Sequence, residues 1–482
     1  MPDASDSISR RSLLQAGTAA SLAALPGWTA KAHAESADGA AIRVALVGCG
    51  GRGSGAVADA VEAGVVPIRL VAMADVFDWK LQTSHDALTA KFADRPEIVD
   101  VPPERRHVSF DGYKAAMDVL RPGDVVILAT PLAFRPLHFA YAIERGLNVF
   151  MEKPVVADGP SGVRMLELAA QADAKNLKCA VGLMIRHCRA RLELKDRIDN
   201  GEIGELIAMR AYRMHGPVAS AFSLPKPPDK SETMYQIERF HSFLWASGGL
   251  YSDFYIHQID ETSWMKGMWP ERAQALGGRH YRGDYVDQNF DTYAVEYTFP
   301  DGTKLFFDGR TMAGCRPSFT SVAHGTKGSA YVSKSGHGPR GVATFSGQRQ
   351  VSGESTWRYR GAMQSPHVAE WVDYLQAIVD DEPYNEVPRG VTASLVTSMG
   401  RMAAHTGREI TYEEMAGCPH RFAPNVDGLT PDGPAPLTAD ADGRYPVPEP
   451  GIVTEYEYLP QTPLAAAGDE RPLDSPASDP AL

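Results

Sequence analysis

The sequence predicts an α/β protein whose first domain is built on a parallel sheet and whose length requires a second domain. Strand-like and helix-like patterns alternate from Ile42 onwards, as in units where a helix connects two parallel strands. A glycine-rich segment follows the first of these strands and leads into a helix. The 482 residues exceed the roughly 250–300 that one hydrophobic core usually supports, so we expect at least two domains.

Composition and charge narrow the class of protein. Hydrophobic residues make up 44% of the chain and charged residues 22%, which is typical of a globular protein rather than a disordered or membrane one. The net charge of −12 repels nucleic-acid phosphates and anionic membrane surfaces, so we expect neither as a partner. The five cysteines are odd in number, scattered and never in a C-x-x-C pair, which indicates buried thiols rather than disulfides.

The first 34 residues have the features of an export signal in the right order. Arg10-Arg11 is similar to the core of a twin-arginine signal, a weakly apolar stretch follows, and the segment ends at Ala34 in a small-x-small cleavage site. The apolar stretch is too short to span a bilayer, so we expect no integral membrane segment in the mature protein. The alternative is a frayed terminus with a chance arginine pair. We expect residues 1–34 to be a twin-arginine signal peptide and the mature protein to be periplasmic or otherwise extracytoplasmic.

The first strand and the residues after it fit a dinucleotide-binding turn. The apolar run 42–47 leads into G-x-G-x-x-G, whose glycines permit a tight turn, close approach to a pyrophosphate and close helix–strand packing. The second strand ends at Asp75, 22 residues after Gly53, where a carboxylate accepts hydrogen bonds from ribose hydroxyls and repels a 2′-phosphate. The pattern therefore predicts NAD rather than NADP; the alternative is a surface aspartate. The predicted cofactor-binding residues of this segment are Gly48, Gly50, Gly51, Arg52, Gly53 and Asp75.

Polar residues follow two later strands of the same predicted sheet. Thr130-Pro131 comes after one strand and Glu152-Lys153-Pro154 comes after the next. The carboxyl ends of parallel strands form the ligand-binding edge of such a sheet. We therefore expect Thr130, Pro131, Glu152 and Lys153 to face the nicotinamide end of the cofactor, whereas a lysine elsewhere would usually be a solvated surface charge.

Together these motifs resemble the glucose-fructose oxidoreductase / inositol dehydrogenase / MocA (Gfo/Idh/MocA) family. The Glu-Lys-Pro triplet around Lys153 matches a signature of that family, and shorter matches extend over residues 42–414. The resemblance implies an NAD-binding Rossmann domain over residues 41–184 and a C-terminal α/β domain with an open, largely antiparallel sheet over residues 185–416. It also implies that Lys153 is catalytic as well as cofactor-contacting, and that the protein is a homo-oligomer.

Asp253 and His257 are the candidate acid–base pair. They are four residues apart, so on a helix they share one face. Oxidation of a secondary alcohol requires a base for the hydroxyl proton, and the usual histidine pKa of about 6.5 suits that role. By resemblance they occupy the family's Asp-x-x-x-His positions, with Lys153 as partner. We predict His257 as general base, Asp253 as its orienter and substrate ligand, and Lys153 as oxyanion stabiliser or proton relay; the alternative is an ordinary surface pair.

Three further residues are candidate substrate contacts. His241 and Trp245 belong to an aromatic segment that suits stacking on a sugar ring, core filling or an oligomer contact. Arg186 suits a substrate contact, although a buried arginine paired with a carboxylate is more common. We predict substrate contacts from Arg186, His241 and Trp245. We expect no metal, because no third ligand joins Asp253 and His257 at a recognisable spacing.

Residues 417–482 depart from the family pattern. From residue 421 onwards there are 12 prolines, and the net charge of that stretch is −8. This composition predicts an extended arm or a disordered tail. Within it, residues 452–459 alternate like a strand, which we expect to dock on a neighbour.

The leading hypothesis is an NAD(P)-dependent oxidoreductase that acts on a ring hydroxyl of a sugar, glycoside or cyclitol through Lys153, Asp253 and His257. One alternative is a redox-neutral glycoside hydrolase or lyase that works through a keto-sugar and returns the hydride. The other is a non-catalytic nucleotide sensor, which has no need of these three residues. Because an exported protein leaves the cytoplasmic NAD(H) pool, we expect the cofactor to be tightly bound.

Overall fold

The computed structural model describes residues 41–280, 282–351 and 353–459. A six-stranded sheet comes first along the chain, and a nine-stranded sheet comes second. The predicted signal peptide and the last part of the predicted tail, residues 460–482, lie outside the described residues. No helix within the described ranges is long and apolar enough to cross a membrane.

The first sheet is parallel throughout. Its strands are β1 (Ile42–Val47), β2 (Ile68–Asp75), β3 (Arg106–Val108), β4 (Val125–Leu128), β5 (Asn148–Met151) and β6 (Cys179–Val181). They lie in the order β3-β2-β1-β4-β5-β6. Val47 at the end of β1 pairs with Ala74 and Leu128, so the carboxyl ends of these strands meet at one edge. This confirms the predicted parallel domain.

Both faces of this sheet are covered. Ala45 and Val47 belong to one hydrophobic core, and Val44 and Leu46 belong to another. A strand buried on both faces has no polar side, which is why residues 44–47 of β1 are all apolar. The helices that follow these strands are α1 (Gly51–Ala63), α2 (Asp78–Lys91), α3 (Gly112–Asp118), α4 (Arg135–Glu144) and α5 (Gly159–Ala174).

The second sheet is mixed and mostly antiparallel. Its strands are β7 (Leu206–His215), β8 (Arg272–Gly278), β9 (Thr292–Thr298), β10 (Lys304–Thr311), β11 (Ser318–Gly325), β12 (Ser329–Lys334), β13 (Ala343–Phe345), β14 (Trp357–Arg358) and β15 (Ile410–Thr411). They lie in the order β14-β13-β12-β11-β7-β10-β9-β8-β15, with β7 and β10 parallel. In β10, Leu305 and Phe307 are buried whereas Phe306 is 37% exposed, so one face is covered and the other is open. The predicted open, largely antiparallel sheet is therefore confirmed.

Two of the later helices cross back to the first sheet. The second half of the chain contains α6 (Arg189–Asp199), α7 (Glu232–Glu238), α8 (Leu244–Ser247), α9 (Gly249–Lys266), α10 (Pro366–Val379), α11 (Val387–Thr406) and α12 (Tyr412–Gly417). Helices α9 and α11 pack together, and α11 also packs on β8. Trp371 in α10 stacks on Phe150 in β5, with ring centroids 4.3 Å apart. The Val155 amide donates to the Ser394 hydroxyl in α11 at 2.9 Å, so the two halves of the chain share their packing.

Residues 418–459 form an irregular segment that packs on the rest of the protein. We call it the C-terminal strap. The strand predicted at residues 452–459 is wrong, because these residues form turns and bends. The Glu457 carboxylate is buried in an ion pair with Arg401 and lies 2.7 Å from Nδ1 of His405, and these contacts hold the local backbone in place of strand pairing.

Candidate active site

A cavity of about 590 Å³ lies at the carboxyl edge of the first sheet. On the strand side it is lined by the predicted turn, by Asp75 and by Thr130-Pro131. On the opposite side it is lined by Ile237, Phe240 and His241 from the second half of the chain. The cavity therefore lies where ligands bind in open parallel sheets.

The glycine turn requires residues without a Cβ at two of its positions. Gly48 has a φ of +97°, and a Cβ there would lie 2.6 Å from the carbonyl carbon of Ala129. A Cβ on Gly53 would lie 2.2 Å from the carbonyl oxygen of Gly48. In contrast, a Cβ on Gly50 or Gly51 would meet no atom within 4 Å. The first two positions hold the turn together, and the other two leave open space at the start of α1, where backbone amides attract phosphate.

Asp75 is held at the end of β2 by backbone amides. Its carboxylate accepts hydrogen bonds from Cys49 at 2.7 Å and from Phe77 at 2.9 Å. Burial raises the pKa of this carboxyl, although those amide hydrogen bonds and the Lys80 ammonium act in the opposite direction. The carboxylate therefore joins the glycine turn to the residue after β2, at the position expected for a ribose contact.

Arg52 forms ion pairs with two carboxylates. Its guanidinium donates to Glu152 at 2.6 Å and to Asp59 at 2.8 Å. Arg52 also lines the cavity. Glu152, predicted to contact the cofactor, thus connects the glycine turn to the end of β5 through this ion pair.

Thr130 and Pro131 line the cavity after β4. The Thr130 hydroxyl lies 3.1 Å from Nδ1 of His138. Burial, assisted by the nearby Arg135 guanidinium, lowers the pKa of His138 to about 3, so its imidazole is neutral. The side chain of Thr130 is thereby fixed at the cavity edge by an uncharged partner.

Lys153 joins the two halves of the site. Its ammonium donates to the Asp253 backbone carbonyl at 2.7 Å and lies 3.4 Å from Oδ1 of the same residue. The two residues are 100 positions apart in the chain. Burial alone would raise the pKa of the Asp253 carboxyl, but the charge of Lys153 and a hydrogen bond from His241 lower it to about 2. Asp253 is therefore ionised, and two partners share its charge.

His241 is the second partner of Asp253. Its Nε2 lies 3.4 Å from Oδ2 of Asp253, and its Nδ1 lies 2.8 Å from the Ser220 hydroxyl. The same imidazole lines the cavity. The residue predicted as a substrate contact thus connects the cavity wall to the carboxylate on α9.

His257 lies one helical turn from Asp253, but among the described hydrogen bonds none joins the two. Burial lowers the pKa of His257 well below 6.5, and His337, Lys153 and Arg213 lower it further. Its Nδ1 has no hydrogen-bond partner among the described residues. The predicted role of Asp253 as orienter of His257 is therefore not supported, because Lys153 and His241 occupy both oxygens of the carboxylate.

Known proteins resemble this chain both in sequence and in fold. Residues 192–331 match the family model described as the GFO/IDH/MocA C-terminal domain. The solved structure of scyllo-inositol dehydrogenase from Lactobacillus casei, with bound cofactor NAD(H) and scyllo-inositol, has a TM-score of 0.54 at 18% identity and covers 77% of this chain and 99% of its own. The chain therefore shares the fold of this scyllo-inositol dehydrogenase over 77% of its length.

Curated relatives in sequence include several inositol dehydrogenases. Inositol 2-dehydrogenase 4 of Saccharopolyspora erythraea is 30% identical over 37% of this chain and 46% of its own length. The scyllo-inositol 2-dehydrogenase (NAD(+)) of Bacillus subtilis is 28% identical over 46% of this chain and 58% of its own length. The chain spans 35% to 46% of the length of the first curated relatives that it matches.

Two predicted substrate contacts have other partners. The Arg186 guanidinium donates three hydrogen bonds of 2.7–3.0 Å to Asp260, and it lies near the rings of Trp264 and Trp269. The Trp245 side chain is 1% exposed, and its Nε1 donates to Gln236 at 2.9 Å. Trp245 therefore fills a core, and Arg186 forms an ion pair with a buried carboxylate. Neither residue lines the cavity described above.

Two residues next to the candidate site are not indicated by any sequence pattern. His337, in the loop after β12, stacks edge-on against His257 with centroids 4.5 Å apart. Glu370 in α10 is buried, and neither carboxyl oxygen has a hydrogen-bond partner among the described residues. Burial and the neighbouring Glu152 raise the pKa of Glu370 well above its usual value. Among the described residues no group of three metal-ligating side chains is assembled.

Proposed function

We propose that the protein is an NAD(P)-dependent oxidoreductase that moves a hydride between a nicotinamide cofactor and a ring hydroxyl of a sugar, glycoside or cyclitol. The observation that supports this most directly is the contact of Lys153 with Asp253, next to a cavity that suits a dinucleotide. His241 connects the two, since it lines the cavity and contacts Asp253. The two relatives compared above are inositol dehydrogenases, which suggests the substrate class.

The residues of the cavity fit a dinucleotide. Open space at Gly50 and Gly51 lies at the N-terminus of α1, where amide dipoles stabilise a pyrophosphate. Asp75 lies at the end of β2, where a carboxylate accepts from ribose hydroxyls and repels a 2′-phosphate. We therefore propose NAD as the preferred cofactor, bound tightly.

Each of the three catalytic candidates has a distinct role in the proposed reaction. Burial keeps His257 neutral, so its imidazole has a nitrogen able to accept the hydroxyl proton of the substrate, although the same lowered pKa makes it a weaker base than an exposed histidine. Lys153 places a positive charge where the alkoxide forms. Asp253 holds Lys153 in position and offers its carboxylate to a neighbouring substrate hydroxyl. A bound nicotinamide supplies the hydride acceptor.

The decisive experiment is hydride transfer by His257→Ala with a panel of cyclitols, sugars and glycosides. We expect turnover to fall by about 100-fold or more, since positioned general bases contribute at least that much. His324→Ala is the matched control, because His324 lies on β11 and bonds to Gln348 outside the site. Full hydride transfer by His257→Ala would sink the assignment. Release of an aglycone without net change in NADH would instead support the redox-neutral alternative.

We also propose export by the twin-arginine route and assembly as a homo-oligomer. The first rests on the order of features in residues 1–34, and cell fractionation with and without Arg10→Lys/Arg11→Lys tests it. The second has support from exposed apolar side chains on the second sheet, namely Ile207, Leu276 and Phe306. Light scattering of the purified protein tests the oligomeric state, and a monomer would overturn it.

A further inference from the structure

The C-terminal strap ends in a buried ion pair. Glu457 is 3% exposed, and its carboxylate accepts from the Arg401 guanidinium at 2.7 and 2.8 Å. The other contact is Nδ1 of His405, at 2.7 Å. Burial alone would raise the pKa of the Glu457 carboxyl, but Arg401 and His405 lower it to about 2. The strap is therefore anchored at this point by a buried, paired carboxylate.

Arg401 connects that carboxylate to both halves of the active site. Its guanidinium also donates to the Ala157 carbonyl at 2.8 Å, four residues after Lys153. It donates as well to the Gly248 carbonyl at 3.2 Å and to the Ser252 hydroxyl at 2.7 Å, at the start of the helix that carries Asp253. One side chain thus holds the strap, the Lys153 loop and the Asp253 helix together.

The middle of the strap is bonded to the segment that closes the cavity. We call residues 231–247 the capping segment; it comprises α7, α8 and the turn between them, and it contributes Ile237, Phe240 and His241 to the cavity wall. The Thr233 hydroxyl donates to the Gly433 carbonyl at 2.8 Å, and the Gln236 amide donates to the Leu437 carbonyl at 2.7 Å.

A second pair of contacts lies further along the strap. The Tyr445 hydroxyl donates to the Glu232 carboxylate at the start of α7. The Gln288 amide donates to the Pro446 carbonyl at 2.7 Å, and Gln288 also accepts from the Leu244 amide in the capping segment at 2.9 Å. The strap is therefore bonded along the length of the capping segment.

Apolar side chains of the strap also join the two walls of the cavity. One hydrophobic cluster takes members from the strap, from the capping segment and from the loops after β2 and β4. Its members from these three sources include Phe422, Leu437 and Tyr445; Tyr235, Ile237 and Phe243; and Phe77, Leu132 and Phe134. Phe77 and Phe134 line the cavity on one side and Ile237 lines it on the other. Separating the walls therefore exposes apolar surface that the strap now covers.

We propose that the C-terminal strap locks the capping segment over the cofactor cavity and so sets the rate at which nucleotide leaves. This rests on the proposed function only in that the cavity holds a nicotinamide nucleotide. A nucleotide leaves when the wall at Phe77 and Phe134 separates from the wall at Ile237, and that opening breaks strap contacts. Weaker strap contacts raise the population of the open state and hence the release rate. Tight binding then follows from the closed strap.

The test measures release of NADH from the full-length chain, by fluorescence after mixing with excess unlabelled nucleotide. The variants are Tyr445→Phe and Thr233→Val, which each remove one hydroxyl from a contact between the strap and the capping segment and keep the side-chain shape. Tyr359→Phe is the matched control, because its hydroxyl donates to Ala362 at 3.1 Å away from the strap. We expect release to be about three- to tenfold faster in each strap variant and unchanged in the control.

Four results separate the possibilities. Faster release at an unchanged melting temperature supports the strap as a lock. Unchanged release in both strap variants overturns the lock and leaves the proposed oxidoreductase intact. Faster release in the Tyr359→Phe control also overturns it, since the effect is then not specific to the strap. Failure of the wild-type chain to bind any NADH overturns both the lock and the nicotinamide-dependent function.

Discussion

The turn at residues 48–53 is shaped by backbone, whereas the site around Asp253 is assembled from side chains of distant segments. In the turn, Gly48 and Gly53 have no room for a Cβ, because the backbone of Ala129 after β4 and the Gly48 carbonyl lie too close. At Asp253, the partners Lys153 and His241 come from other elements. The comparison teaches that the first kind of site depends on close backbone packing, whereas the second depends on the ionisation of side chains from distant segments.

The largest expected effect tests the side-chain site. Lys153→Met removes the charge that holds Asp253 and stabilises the alkoxide, so we expect turnover to fall by about 1,000-fold. Steady-state kinetics with an accepted cyclitol or sugar measure it. The exposed Lys327→Met is the control and should turn over at the wild-type rate. Activity of Lys153→Met within tenfold of the wild type would mean that the Lys153–Asp253 contact is structural only.

The next effect tests the backbone-shaped turn. Gly48→Ala forces a Cβ to within 2.6 Å of the Ala129 carbonyl carbon at a φ of +97°. We expect the free energy of unfolding to fall by about 3 kcal/mol, from strain and overpacking together. Urea denaturation measures it. Gly51→Ala is the control, since its Cβ meets nothing within 4 Å and alanine favours a helix. Equal stability of the two variants would show that the turn adapts.

These two regions also show how far the sequence alone could predict the molecule. The parallel domain, the glycine turn and the carboxyl-edge position of Lys153 followed from patterns of neighbouring residues. The pairing of Arg186 with Asp260 and the burial of Trp245 did not, because each depends on partners that only the tertiary fold brings close. The strand prediction in the strap failed for the same reason: its alternating residues suggest a strand, but the contacts of the buried Glu457 carboxylate with Arg401 and His405 decide its shape.

The third prediction concerns the pH dependence of the stability that Asp253 contributes. Because the folded-state pKa of Asp253 is lowered from 3.8 to about 2, its ion pairs contribute stability above pH 3.8, and that stability is lost as pH falls towards 2. In Asp253→Asn this loss is absent, so we expect the stability difference between wild type and variant to shrink by about 2 kcal/mol across that interval. Chemical denaturation at each pH measures it. A difference that stays constant with pH would mean that Asp253 is not stabilised by charge.

The smallest effect concerns cofactor choice. Asp75→Ser removes the carboxylate that repels a 2′-phosphate but keeps an acceptor for backbone amides, so we expect the ratio of NADP to NAD affinity to rise by about tenfold. Titration calorimetry with both nucleotides measures the ratio. Asp78→Ser changes an exposed charge three residues away and serves as the control. An unchanged ratio in Asp75→Ser would place the ribose elsewhere.

The Arg401 guanidinium also has a consequence for the order in which the chain is made. Its counter-charge, Glu457, is synthesised after Lys153, Asp253 and Arg401 itself. Closing the two halves of the site around Arg401 before residue 457 is made would bury this cation without its carboxylate, which is strongly unfavourable. Glu457 therefore favours closure of the site late in synthesis, once this part of the chain is present.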